Sequence, residues 1–183
     1  RFSNPEWVAS DLIGQAEHDN LAQCILISKD KKLLQKVNME IIKQLKHIPR
    51  VSVARKSLIS NGILMYVNSD KKIIEIVNKI APEHLELNIK NYKSYVSKIR
   101  NAGSICLGKY AVMAMTDYNV GSNHVLPTNG SAKYSSGISV NEFYKRISYI
   151  NLSKKGIESL GPSVITLANY EGLVGHAQSV IKR

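Results

Sequence analysis

The chain has 183 residues, 44% of them hydrophobic, and a formal net charge of +11 from 25 Lys and Arg against 14 Asp and Glu. This composition is typical of one globular domain, or one domain with a tail, and no apolar run is long enough to span a membrane. The basic charge permits nucleic-acid binding, but the lysines are spread over predicted helices, which favours solvated helix faces over a polyanion partner. Cys24 and Cys106 lie in apolar stretches and predict buried free thiols in a reducing, cytoplasmic compartment.

Short apolar runs alternate with amphipathic stretches along the chain. The predicted strands are the apolar runs at about 24–28, 63–67, 85–87 and 104–107. The predicted helices have apolar residues at helical spacing, at about 5–18, 30–47, 70–80 and 91–99, with 51–60 open between a short helix and a strand with a turn. This alternation predicts an α/β fold, a Rossmann-like, mostly parallel sheet flanked by helices, with ligands beyond the carboxyl ends of the strands.

A long polar stretch and a helical tail follow the fourth strand. Residues 110–136 are rich in Gly, Asn and Ser, which predicts a functional loop or a solvated one. Helices are then predicted at about 140–147, 153–160 and 162–181, with Pro162 opening the last. The predicted domains are an α/β portion at 1–137 and a helical tail at 138–183. Glu171 and His176 would be about 140° apart on one helix, and so could not face one point in one subunit unless the helix bends or ends between them.

An acid and an imidazole adjoin at Glu83 and His84, directly after Pro82. They can transfer protons near neutral pH if an irregular strand start lets both side chains converge. The alternative is a turn carboxylate beside a surface histidine. Gln15 and His18 are three apart on one predicted helix face, where they could grip one metal ion or form an ordinary polar helix end. Histidines with Gln and Asp would suit zinc, which predicts a metal-assisted site with an acid/base pair.

Five motifs, in this order, resemble the histidinol dehydrogenase family. They are DLIGQAEHD at 11–19, APEHLEL at 81–87, IRNAGSI at 99–105, D-Y-x-x-G-x-N-H-V-L-P-T at 117–128 and E-G-L-x-x-H-A at 171–177. The resemblance runs through nearly the whole chain but only to the C-terminal portion of an enzyme more than twice as long. It therefore implies an incomplete fold, without the N-terminal half that carries most NAD contacts.

The resemblance implies a zinc-dependent enzyme of histidine biosynthesis, which oxidises L-histidinol through the aldehyde to L-histidine with two NAD. It implies that His84 takes protons from the alcohol and the hydrated aldehyde, and that Glu83 activates water. The implied zinc ligands are Gln15, His18, Asp117 and His176. The implied substrate contacts are Gln15, His18, His84, Asp117, His124, Glu171 and His176. It also implies an intertwined homodimer in which the last helix enters the partner's active site.

One stretch departs from the family pattern. Residues 110–118 read YAVMAMTDY, where the family usually reads Tyr-Thr-Pro-Glu-Ala-Ile-Gly-Asp-Tyr. This leaves open a non-catalytic zinc-binding relic or a subunit of a split enzyme. A basic nucleic-acid binder and a zinc hydrolase using Glu83 as base are less favoured alternatives. Without the NAD half, the chain alone is predicted to be inactive.

Overall fold

The computed structural model describes residues 2–183, which divide into two compact units. The first unit ends at Glu142, and the second comprises Phe143–Arg183. Across the described residues, no helix combines the length and the apolar composition that crossing a membrane requires.

The strands of the first unit run parallel in two pairs. They are β1 (Ile25–Ser28), β2 (Ile63–Tyr66), β3 (His84–Leu87) and β4 (Ser104–Leu107). β1 pairs with β2 from Ile25 opposite Ile63, and β3 pairs with β4 from His84 opposite Ser104. The predicted parallel α/β fold is confirmed, with one difference: the strands form two two-stranded sheets, because no described strand pairs with both β2 and β3.

Local capping explains where the main helices of this unit begin. The helices are α1 (Pro5–Ala16), α2 (Lys31–Gln44), α3 (Val51–Asn61), α4 (Asp70–Ile80), α5 (Lys93–Val96) and α6 (Met113–Tyr118). The side chains of Asn4, Asp30 and Ser69 each accept a hydrogen bond from a backbone N–H in the first turn of α1, α2 and α4. The ambiguous stretch at 51–60 is a helix.

The core of the first unit lies where α1, α2 and α3 pack around β1. Its buried residues are Val8, Ala9, Ile13, Ala16, Cys24, Val37, Ile41, Leu45 and Ala54. Within the described residues, Cys24 and Cys106 are buried free thiols, as predicted. The Cys24 thiol donates to the carbonyl of Leu12 at 3.3 Å, and burial raises its pKa to about 11.

Two sequence predictions for residues 140–183 are wrong. Pro162 lies inside α7 (Lys154–Tyr170) and does not open a helix; α7 begins earlier because the Ser153 hydroxyl caps it by accepting from the N–H of Gly156. The predicted helix at 140–147 is only a 3-10 turn at Val140–Phe143. Apolar side chains in this stretch are exposed, 70% for Val140 and 78% for Phe143, so no packed face stabilises a helix there.

The chain turns sharply between the last two helices. α7 ends at Tyr170, Glu171 is its C-cap, Gly172 adopts a left-handed φ of 74°, and α8 spans Val174–Ile181. The N–H of Leu173 closes the turn by donating to the carbonyl of Ala168 at 2.7 Å. The helix therefore ends between Glu171 and His176, and the 140° offset of a continuous helix does not apply to them.

Asn78 of α4 fastens the turn that leads into β4. Its Oδ1 accepts from the N–H groups of Arg100 and Asn101 at 2.7 and 3.2 Å, and its Nδ2 donates to the carbonyl of Lys98 at 2.9 Å. We expect Asn78→Ala to lower the free energy of unfolding by about 1–2 kcal/mol, because two backbone donors lose their acceptor. Urea-induced unfolding followed by circular dichroism measures it. Asn78→Asp keeps the acceptor oxygen and should lose less; equal losses would contradict this account.

Candidate active site

A left-handed backbone turn at the end of α4 directly precedes Glu83 and His84. α4 ends at Ala81, which is fully buried and left-handed, with φ 53° and ψ 64°. A non-glycine residue at positive φ is uncommon and often accompanies a functional site. Pro82 follows, and His84 is the first residue of β3, so the predicted irregular strand start is present. The pair lies at the amino end of β3, in contrast to the predicted ligand position beyond the carboxyl ends.

The two side chains of the candidate acid/base pair converge. His84 Nε2 lies 3.9 Å from Glu83 Oε1, and the side chains are 14% and 33% exposed respectively. The Nδ1 atom of His84 is buried and has no hydrogen-bond partner among the described residues. A buried polar atom without a partner is rare in a folded protein and is typical of a position that contacts a ligand. The geometry therefore suits proton transfer to a bound molecule.

Backbone hydrogen bonds from the start of β4 fix the position of Glu83 and His84. The N–H of Gly103 donates to the carbonyl of Pro82 at 2.9 Å, and the N–H of Ser104 donates to that of Glu83 at 2.8 Å. A Cβ at position 103 would lie 2.6 Å from the carbonyl oxygen of Glu83 and 3.1 Å from Cδ of Pro127. Residues of the 99–105 motif thus form backbone hydrogen bonds with the 81–87 motif, and Gly103 permits the close approach of the two segments.

The two predicted metal ligands of the first motif differ in their surroundings. Gln15 lies in the last turn of α1, and its Oε1 is buried without a hydrogen-bond partner among the described residues. His18 is exposed, in the turn beyond α1, because the helix ends at Ala16 and not at 18 as predicted. Its carbonyl accepts from Arg50 Nη2 at 3.4 Å, which ties this turn to the start of α3.

Asp117 is half-buried on α6, the short helix formed by the stretch that departs from the family pattern. Three carboxyl groups lie near Cys106 of β4. Burial raises the pKa of the Cys106 thiol to about 11, and the negative charges of Glu86, Asp11 and Asp117 raise this pKa further. Carboxyl groups from α1, β3 and α6 therefore lie in one neighbourhood.

The other predicted site residues are exposed. His124 lies in the loop between α6 and the 3-10 turn at Ser131–Lys133. Glu171 and His176 belong to the second unit, at the end of α7 and on α8. Among residues 2–183, no three His, Cys, Asp or Glu side chains are grouped so that they could hold a metal ion. The four predicted zinc ligands therefore remain a prediction.

Sequence reasoning did not single out Asp11 and Glu86, whose neighbouring carboxyl groups influence each other's pKa. Burial and the charge of Asp11 raise the pKa of Glu86 to about 7, and burial raises the pKa of Asp11. One signal in the sequence could have indicated Glu86. Glu86 is two residues after His84, which places both on the same face of a strand.

Comparison with known proteins gives one consistent family. The histidinol dehydrogenase family model matches residues 1–183. A histidinol dehydrogenase of Pelagibacter ubique (strain HTCC1062) is 82% identical over 183 residues, which are 100% of this chain and 43% of that protein. One of Listeria monocytogenes serovar 1/2a (strain ATCC BAA-679 / EGD-e) is 43% identical over 178 residues, 97% of this chain and 42% of that protein.

A solved structure shares the fold. The crystal structure of histidinol dehydrogenase from Elizabethkingia anophelis matches with a TM-score of 0.90 at 41% identity, over 98% of this chain and 41% of that chain. The chain thus spans about two fifths of the length of the relatives that it matches. On this similarity over its full length, the chain belongs to the histidinol dehydrogenase family.

Proposed function

We propose that this chain supplies the acid/base pair and zinc ligands of a histidinol dehydrogenase, which oxidises L-histidinol through L-histidinal to L-histidine. The observation that carries the proposal is the convergence of Glu83 and His84, 3.9 Å apart, together with the buried Nδ1 of His84, which has no hydrogen-bond partner within residues 2–183. The left-handed turn at Ala81, directly after α4, redirects the backbone so that the two side chains converge. An acid and an imidazole so placed can each handle a proton near neutral pH.

The two residues divide the proton transfers. His84 accepts the hydroxyl proton of the alcohol as the adjacent carbon loses a hydride. Glu83 then accepts a proton from the water that adds to the aldehyde carbon. His84 accepts the hydroxyl proton of the resulting hydrate as the second hydride leaves. As the water adds, the protonated His84 gives its first proton to the aldehyde oxygen, so it is free to accept the second. Both residues return their remaining protons to solvent before the next turnover. The low exposure of the His84 side chain, 14%, limits competing water.

We propose Gln15, His18, Asp117 and His176 as zinc ligands. Their nitrogen and oxygen donors suit zinc, and the buried Oε1 of Gln15 is an acceptor with no hydrogen-bond partner in the part of the chain that the structure describes. When bound, zinc would orient and polarise the substrate and NAD would accept hydride. We place most NAD contacts in the part of the relatives that this chain does not span, and therefore expect no turnover from the chain alone.

The remaining proposed roles concern substrate contacts and assembly. His124 and Glu171 would contact L-histidinol together with His84 and the zinc ligands. Glu171 and His176 would serve the active site of a second copy in a homodimer. Nothing in this scheme requires a membrane or nucleic acid, and the cytoplasm is the proposed location.

Zinc content tests the ligand assignment in a full-length hybrid, made by joining this chain to the remaining part of the Pelagibacter ubique protein. We expect about one zinc per chain in the hybrid and near none in Gln15→Leu or His18→Ala, because each loses one of four ligands. Elemental analysis after dialysis measures it. His47→Ala removes an exposed histidine outside the site and is the matched control. Zinc retained equally by His18→Ala and His47→Ala would contradict the assignment.

A second candidate is a zinc-binding relic or a subunit of a split enzyme, favoured by the changed stretch that forms α6. A relic would bind zinc in the full-length hybrid but would not reduce NAD when L-histidinol is added. A split subunit would be inactive alone and would regain turnover when mixed with the separately expressed remaining part.

A further inference from the structure

Glu86 connects three elements of the proposed site. It lies on β3 on the same face as His84, two residues away. Its Oε1 accepts a hydrogen bond of 2.9 Å from the backbone N–H of Met113, the first residue of α6. Its carboxyl group also lies close enough to that of Asp11 on α1 for the charge of Asp11 to raise its pKa. One side chain thus links the helix of Gln15, the strand of His84 and the helix of Asp117.

α6 depends on an acceptor from outside itself. It has only six residues, too few for a helix to be stable without tertiary contacts. Its first N–H groups need acceptors, and its N-cap residue, Val112, has no side-chain oxygen and makes no capping hydrogen bond. Glu86 supplies the missing acceptor from β3. Negative charge near the N-terminus of a helix is also favourable.

We propose that Glu86 is a positioning residue that fixes the start of α6 and thereby places Asp117 relative to Gln15 and His84. Its significance for zinc rests on the proposed function, whereas its effect on α6 does not. Neither Glu86 nor Asp11 takes part in the proton transfers described above. Their contribution is to keep α1, β3 and α6 in fixed positions relative to one another.

The protonation of the pair suggests a conservative variant. Burial and the neighbouring charge of Asp11 raise the pKa of Glu86 to about 7, and burial raises the pKa of Asp11, so this environment favours the neutral form of a carboxyl group. Glutamine is a close isostere of a protonated glutamic acid. In Glu86→Gln, the amide oxygen can still accept from Met113 while the amide nitrogen donates to Asp11. Glu86→Ala loses both contacts.

The experiment compares these variants in the full-length hybrid, by zinc affinity and by amide hydrogen exchange in residues 113–119. We expect Glu86→Ala to weaken zinc binding about tenfold or more, in the range of lost supporting contacts around metal sites, and to exchange faster in α6. Glu86→Gln should stay within about threefold of the parent in affinity and match its exchange. Asn78→Ala, which removes hydrogen bonds away from α6, controls for general destabilisation.

A rescue variant separates positioning from a merely structural role. Val112→Asp provides α6 with its own cap, and in the Glu86→Ala background it should restore slow exchange and zinc affinity. The proposal is overturned if Glu86→Ala binds zinc and exchanges in α6 as Asn78→Ala does, or if Glu86→Gln is as impaired as Glu86→Ala. If the parent hybrid binds no zinc, the proposed function fails; unchanged exchange in Glu86→Ala would then still refute the positioning of α6.

Discussion

Replacing His84 with asparagine in the full-length hybrid is expected to lower kcat for histidinol oxidation by about 10²–10⁴-fold, the usual contribution of a general base. Asparagine keeps a polar side chain of similar size but cannot accept and release a proton. Because His84 is not among the proposed zinc ligands, zinc content should remain unchanged. NAD reduction at saturating L-histidinol measures the loss, and elemental analysis checks the metal.

The division of roles between the two residues gives this prediction a sharper form. Glu83→Gln should slow the oxidation of added L-histidinal more than the first oxidation of L-histidinol, because only the second step needs activated water. His84→Asn should slow both. His47→Asn is the matched control, since His47 is exposed and outside the site. A kcat for His84→Asn within about threefold of the parent would rule out His84 as the base.

Gly103→Ala is expected to damage stability and turnover together. The new Cβ would lie 2.6 Å from the carbonyl oxygen of Glu83, a distance that real Cβ contacts essentially never show, so β3 and β4 must move apart. Crowding of this kind costs about 1–3 kcal/mol of unfolding free energy. A shift of about 1 Å in Glu83 could also lower kcat by about 10²-fold. Urea-induced unfolding and steady-state NAD reduction measure the two effects.

Gly14 provides the control for the glycine substitution. It lies inside α1, and a Cβ there would meet nothing within 4 Å. Gly14→Ala should therefore stabilise the protein by about 0.5–1 kcal/mol, through helix propensity alone. If Gly103→Ala were as harmless as Gly14→Ala, the close approach of β4 to Glu83 would not constrain the site.

The elements with strong local signals could be predicted from the sequence. The short apolar runs at about 24–28 and 63–67 predict strands, and both contain one, at Ile25–Ser28 and Ile63–Tyr66. The side chains of Asp30 and Ser69 identify helix starts because a capping oxygen acts within its own turn. The helix start predicted at Pro162 is wrong because the cap at Ser153 lies nine residues earlier and the helix continues through the proline.

Features that depend on contacts between distant segments could not be predicted in the same way. The family motifs identified Glu83 and His84, but not the left-handed backbone at Ala81 that brings them together. The contact between Asp11 and Glu86 joins residues 75 positions apart, and no local pattern encodes it. Likewise, the apolar runs do not indicate that the strands divide into two separate pairs, since that depends on which strand lies beside which.

The division of the strands has a consequence for handling this chain. Within the described residues, β2 pairs only with β1, so the other edge of β2 has no hydrogen-bonded neighbour. Ile63, Leu64 and Tyr66 on this strand are 38%, 38% and 43% exposed. An apolar strand with an open edge is a template for intermolecular strand pairing, the first step of aggregation. The yield of monomeric chain during refolding therefore depends on keeping its concentration low enough that this edge does not meet another copy.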